Sequence, residues 1–307
     1  MLLNVTENSV KMKPPETMTS LVWKRFRRHP GAVAGAIVLS IIIVSALLAS
    51  LSPYDPVKLD VKNRYEPPSL AHPFGTDGLG RDLLTRVLYG GRVSLRVGLM
   101  VVGITLTIGV PIGSIAGYFG GAIDSTLSKL IDATMSLPSL MFLILLGAIL
   151  REMDLPFVKS NSVVTIAVVL GVLSWPTVAR LVRAVFLTFR EMEYVTAAKA
   201  LGASNLRIIT GEILPNGFGP IIVEATLEVG YAIMEESTLS FLGFGIMPPT
   251  ASWGNLLSSA QEHLSEEPWL AIFPGLMIFL TIISINFIGD GLRDALDPYR
   301  ILTSIDE

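Results

Sequence analysis

Long stretches without Asp, Glu, Lys or Arg recur along the chain, at 31–51, 97–118, 133–150, 160–179 and 268–289. Each is close to the roughly 20 apolar residues that a helix needs to cross the hydrocarbon of a bilayer. A sixth stretch, 213–234, has the same character but is interrupted by Glu224 and Glu228. The pattern predicts an all-α integral membrane protein with six transmembrane helices. The first stretch follows a basic segment, WKRFRRH at 23–29, as the core of a secretory signal would. Its apolar run of 21 residues exceeds the 7–15 of a signal core, so it is read as a retained span.

Composition agrees with this pattern. Charged residues are 16% of the 307, against roughly 25% in soluble domains. So few charges cannot cover the surface of a water-soluble globule, which leaves lipid as the solvent for much of it. A net charge of −3 gives no argument for nucleic acid. With no cysteine the chain has no disulfide, thiolate metal site or thiol nucleophile, and its redox compartment is unreadable.

Lys and Arg are more numerous in the segments that a cytoplasmic N-terminus puts inside, which predicts both termini in the cytoplasm. The loop between the first two spans is basic too, but Asp55, Asp60, Glu66, Asp77 and Asp82 offset it, and it should hold some structure. Within it 78–88 reads as a short amphipathic helix lying on the outer surface. Gly109, Gly113 and Gly117, four apart, are the small-residue spacing that lets membrane helices approach closely, read chiefly as packing within the bundle and otherwise as a subunit contact. Pro111 predicts a kink. The uncharged 237–261 is too rich in Pro, Gly, Ser and Thr for a span; it reads as a short helix at 239–244 followed by an extracytoplasmic loop, with Pro248 and Pro249 breaking any helix. Arg293 pairs with Asp290 or Asp297 at the surface.

The cytoplasmic segment 193–209, EYVTAAKALGASNLRII, is the most informative. It reads as two short helices broken at Gly202, which tolerates left-handed geometry, with Ser204 capping the second. Glu193 and Tyr194 open the first helix, Ala197 and Ala198 give it a low-profile face, and Ala203 follows the break. The expected form is a rigid helical knob that another protein can approach closely.

With the following TGEILPN, this run resembles the EAA loop of ATP-binding-cassette importer permeases. The runs HPFGTDGLGRDLLTRVLYGGRVSLRVG (72–98), STLSFLGFGIMPPTASWGN (237–255) and FIGDGLRDALDPYR (287–300) resemble the C-type permease subunit of dipeptide, oligopeptide and nickel importers. One departure is Gly211-Glu212, where that family often has a basic residue or His. The resemblance spans about 20–300. It implies a type I ABC importer permease fold, with a flexible cytoplasmic tail at 1–19, a first span and extracytoplasmic loop at 20–93, a permease core at 94–300, and a cytoplasmic tail at 301–307. It implies a bacterial or archaeal cytoplasmic membrane and a cargo of di- or oligopeptides, with nickel chelates, glutathione or oligosaccharides as alternatives. The implied partners are a B-type permease subunit, two cytoplasmic ATPases that bind ATP and magnesium, an extracytoplasmic binding protein and membrane lipid. Glu193, Tyr194, Ala197, Ala198, Gly202 and Ala203 would then form a coupling helix that docks on an ATPase.

The residues fit a non-catalytic role. No Gly is followed by Lys, so the chain has no P-loop and no cofactor of its own is expected. His29, His72 and His263 lack ligand spacing, and no metal site is expected, although His72 and His263 are both read as outside and could meet. Asn4-Val5-Thr6 is a chance glycosylation sequon. Glu224 and Glu228 lie one helical turn apart, and Glu235 continues their face. A charge at the bilayer middle is costly, so these side chains should face a polar path or be paired. Two readings stay open: a central cavity favouring a peptide amino terminus or other cation, or a hydrogen-bonded contact with a neighbouring span or the partner permease. From other classes remain an ATPase-independent channel or secondary transporter, which the absence of visible repeats disfavours, and a structural scaffold.

Overall fold

The computed structural model describes residues 18–152 and 162–297, whose regular secondary structure is helical, with one isolated bridge between Thr76 and Asp82 in the loops that join the helices. The tails with the sequon, the segment 153–161 and residues 298–307 lie outside the described residues. In chain order the helices are α1 (Met18–Phe26), α2 (Pro30–Leu47), α3 (Leu83–Phe119), α4 (Gly121–Met135), α5 (Ser139–Glu152), α6 (Ser162–Phe189), α7 (Glu193–Ala200), α8 (Asn205–Asn216), α9 (Phe218–Phe241), α10 (Trp253–Ala260) and α11 (Trp269–Leu296). Helices α2, α3, α6 and α11 are each long and apolar enough to span a membrane. Two bent pairs, α4 with α5 at 77° and α8 with α9 at 69°, raise the number to six if each is one span.

The bends have sequence causes. Between α4 and α5 lies Ser136-Leu137-Pro138, and a proline disfavours helical geometry in the residue before it. The stretch at 133–150 is therefore two helix pieces rather than one straight span. Gly217 separates α8 from α9. Helix α3 continues through Pro111 over its 37 residues.

Among the described residues the most extensive helix packing is α3 against α6, and glycines let the two backbones approach. A Cβ on Gly109 would stand 2.9 Å from the Trp175 carbonyl oxygen, one on Gly113 would stand 2.8 Å from Val182 Cβ, and one on Gly117 2.6 Å from the Arg183 carbonyl oxygen. The stripe serves packing inside this chain, where close backbone approach replaces the hydrophobic drive that lipid removes. Helix α4 is tied to the same pair by a bidentate Asp124–Arg183 ion pair and by Arg180–Asp132 at 2.8 Å.

Two expectations about the far end change. Residues 78–88 do not form a surface helix. They turn through Gly80 (φ +74°) and then begin α3, with Leu83, Thr85, Arg86 and Val87 buried. Asp82 caps that start by accepting from Thr85 N at 2.7 Å, which ends any helix upstream of it. Residues 239–241 finish α9 rather than founding a separate helix, and the region read as a loop contains α10. Ser252 and Asn255 close a reciprocal capping box at its start, and Trp253 is fully buried, donating from Nε1 to the Val87 carbonyl at 3.0 Å.

The loop before α3 is folded, as its mixed charge suggested. His72 Nδ1 pairs with Asp82 at 2.9 Å, Tyr65 hydroxyl meets His263 Nε2 at 2.8 Å, and Phe74 stacks on Phe273 at 3.8 Å. The two histidines thus have separate partners rather than each other. Among the described residues no His, Cys, Asp and Glu gather as a metal site would require. Arg293 lies 4.0 Å from Asp290, both exposed, which is the surface pairing expected.

Candidate functional site

The knob is built by α7 and the start of α8. Helix α7 ends in a Schellman motif: Gly202, at φ +81°, donates to the Lys199 carbonyl at 3.0 Å, and Ala203 donates to Ala198 at 3.0 Å. The next turn starts at Ser204, whose hydroxyl accepts from Arg207 N at 3.4 Å. Beneath the turn Val195, Ile208 and Ile213 are fully buried among Val178, Val182 and Phe186 of α6. Tyr118, at the end of α3, donates to Asn205 Oδ1 at 2.9 Å, and Lys199 sits 5.5 Å above its ring. The knob is therefore fastened to two long helices by a hydrophobic plug and a polar strut.

This arrangement divides the predicted residues. Glu193, Tyr194, Ala197 and Gly202 are exposed. Ala198 and Ala203 turn inward and pack on the plug, so the expected paired-alanine face presents only Ala197 outward. In place of Ala198 the exposed face carries Leu201 and Leu206, 88% and 71% exposed, which the motif reading passed over. Their signal was available: an aliphatic residue on each side of a helix-ending glycine, outside the apolar period of the anchoring face. Burial pushes the Tyr194 hydroxyl above its ordinary value, against a lowering hydrogen bond from Asn216.

The acidic residues of α9 converge on a cavity of about 580 Å³. Glu224, Glu228 and Glu235 all line it, as the shared helix face predicted, with Tyr231 between them. Ser174 and Thr177 of α6, Thr134 of α4 and Arg293 of α11 supply further polar walls. Glu228 is 5% exposed, whereas Glu224 and Glu235 are half-buried. A chamber of mixed polarity lined by five helices, α4, α5, α6, α9 and α11, gives these carboxyl groups polar neighbours within the bundle.

Glu236, one residue on, points elsewhere and was not singled out from the sequence. It is completely buried, accepting from Ser240 Oγ at 2.7 Å and from Ser94 Oγ at 3.1 Å. Ser94 Oγ also accepts from Trp253 N at 3.3 Å, and Ser240 Oγ from Ile246 N at 3.0 Å. One carboxyl thus ties α3, α9 and the start of α10 together at the end of the bundle opposite the knob.

Comparison with known proteins adds the context. A family model described as "Binding-protein-dependent transport system inner membrane component" matches residues 109–301, and one described as "N-terminal TM domain of oligopeptide transport permease C" matches 17–68. The dipeptide transport system permease protein DppC of Alkalihalophilus pseudofirmus is 41% identical over 294 residues, 93% of each chain. That of Bacillus subtilis is 42% identical over 96% of this chain and 90% of its own, and that of Haemophilus influenzae 37% over 92% and 96%. Among solved structures, an inward-facing MetNI methionine ABC transporter superposes with a TM-score of 0.55, covering 69% of this chain and 96% of the other. At 17% identity that likeness speaks for the fold alone.

Proposed function

The chain belongs to the inner-membrane components of binding-protein-dependent transport systems, and from that membership we propose that it is one of two permease subunits forming the path of an ATP-driven peptide importer. Such a component is a non-catalytic, multi-pass subunit of a larger transporter. Di- or oligopeptide cargo is supported by the names of the relatives aligned along nearly the whole chain. In this reading an extracytoplasmic binding protein delivers the peptide, a B-type permease completes the path, and two ATPases bind ATP and magnesium. Residues 20–93 form the first span with its outer loop and 94–300 the permease core. Both termini and the knob are cytoplasmic, following the excess of Lys and Arg there.

The observation that carries this reading is the knob's construction. Leu201 and Leu206 stand out into solvent from a segment whose other face is locked to α3 and α6. Exposed aliphatic side chains on a rigid base suit a protein groove, and force applied there passes to the spanning helices through the buried plug. Glu193, Tyr194, Ala197 and Gly202 complete the docking face, with Ala198 and Ala203 seating it. The test is co-purification of the ATPases and peptide-stimulated ATP turnover. Substitution of Glu193 and Gly202 should uncouple turnover from peptide delivery, whereas a self-contained channel, secondary transporter or scaffold would show no such dependence.

The cavity is our choice for the path. Its convergence of Glu224, Glu228 and Glu235 favours a cationic group, such as a peptide amino terminus, over the alternative of a subunit contact. Changing Glu224 and Glu228 to Gln should slow uptake of cationic peptides more than neutral ones. Equal uptake of both, unchanged from the parent, would remove the cavity role.

A further inference from the structure

A second, smaller groove lies between α1 and α2, away from both the knob and the acidic cavity. It encloses about 380 Å³ and is walled by Trp23 on one side and by Ala36, Ile37 and Ile41 on the other. Ser40 also faces it, but its hydroxyl is spent on the Ala36 carbonyl at 2.6 Å, so the wall is apolar in effect. From Val33 to Ile41 the groove follows α2 for about 12 Å. Helix α11 does not cover it: α11 packs on the Ala32 and Gly35 face of α2, where a Cβ on Gly35 would stand 3.1 Å from Phe287 Cβ.

The mouth of the groove is cationic. Arg27 both lines the groove and lies 4.5 Å above the Trp23 ring, and its sequence neighbours Lys24 and Arg28 are exposed. Trp23 in turn stacks on Phe26, whose buried ring fixes α1 against Ala32 and Ala295. Asp294 approaches His29 at 4.0 Å on the α11 side. An apolar groove along the first span, with Arg27 and Trp23 at one end in a basic segment, has the polarity of an anionic head on a hydrocarbon tail.

We propose that this groove binds an anionic phospholipid of the adjoining leaflet. Its phosphate rests on Arg27 with Lys24 and Arg28 nearby, and one acyl chain lies along the 33–41 face of α2. The occupant would fasten α1 against the first span and set the depth of the chain's N-terminal end in the leaflet.

The experiment uses the complete transporter in lipid nanodiscs, doped with phosphatidylglycerol or phosphatidylcholine that carries a photoreactive diazirine in the acyl chain. Phosphatidylglycerol should label Ile37 and Ile41 preferentially. Arg27→Gln and Arg28→Gln, both at exposed positions, should each reduce that labelling about fivefold, toward the phosphatidylcholine level. Ile37→Trp should fill the slot and abolish labelling by both lipids. Equal labelling by the two lipids would overturn the charged headgroup site. So would an unlabelled groove from which a photoreactive residue at position 37 captures another subunit.

Discussion

The knob and the Glu236 knot sit at opposite ends of α9 and are made from opposite materials. At the knob, exposed aliphatic side chains surround a turn whose backbone and capping hydrogen bonds join residues within five positions, with one longer strut from Tyr118 to Asn205. At the knot, a fully buried carboxyl draws in hydroxyls from residues as far apart as 94 and 240. A knob whose turn is held locally and whose base is locked to α3 and α6 can be pushed as a unit without unfolding. A knot whose contacts are long-range holds three segments in one arrangement. The contrast suggests that motion enters at the knob end and that the far end moves as one piece.

The largest effect should follow from breaking the knot. Glu236→Ala removes the acceptor from two buried serine hydroxyls and opens a cavity, at a cost of about 3 kcal/mol. The melting temperature of the detergent-purified transporter should fall, and peptide uptake should fail while the ATPases still co-purify. Glu236→Gln keeps an acceptor oxygen and should recover a large part of the loss. If Glu236→Ala melts like the parent, the carboxyl is not holding these segments.

Gly202→Val comes next. A β-branched residue at φ +81° costs about 1–3 kcal/mol locally, and the strain falls on the turn rather than on the bundle. Because nothing stands near the missing Cβ, no steric clash adds to that backbone strain, so the melting temperature should fall less than for Glu236→Ala, but ATP turnover should no longer respond to peptide. Normal coupling in a folded variant would mean that the left-handed turn is not needed for docking. The two substitutions should therefore separate stability from coupling in opposite directions.

That separation also explains what was legible beforehand. Apolar runs revealed the spanning helices because lipid imposes one requirement on about 20 successive residues. The Gly202 break and the Ser204 cap were legible for a local reason: the glycine's backbone freedom and the serine's hydroxyl act on residues within a few positions. The face shared by Glu224, Glu228 and Glu235 followed from helical period alone. Glu236 was not legible, because its meaning depends on Ser94, more than a hundred residues away, and its neighbour Glu235 looks the same in sequence. Helix α10 was hidden by its Gly and Ser content: its start depends on the Ser252–Asn255 box and on a slot for Trp253 opened by Gly90 and Gly91 of α3. Ala198 was misread as outward because the motif specifies which residues recur, not which way a short helix rolls on its plug.

The smallest change in stability should come from Leu201→Ser combined with Leu206→Ser. Both side chains already face water, so the folded chain loses almost no buried area, and stability should stay within about 0.5 kcal/mol. If the two leucines enter a groove on the ATPase, each forfeits about 1.5–3 kcal/mol of apolar burial on binding, which is at least a tenfold weakening for each. Binding of the isolated ATPase to nanodisc-held permease measures that directly. An unchanged dissociation constant would show that the knob's aliphatic face is not the contact, and coupling would then have to pass through Glu193 and Tyr194 on the neighbouring turn.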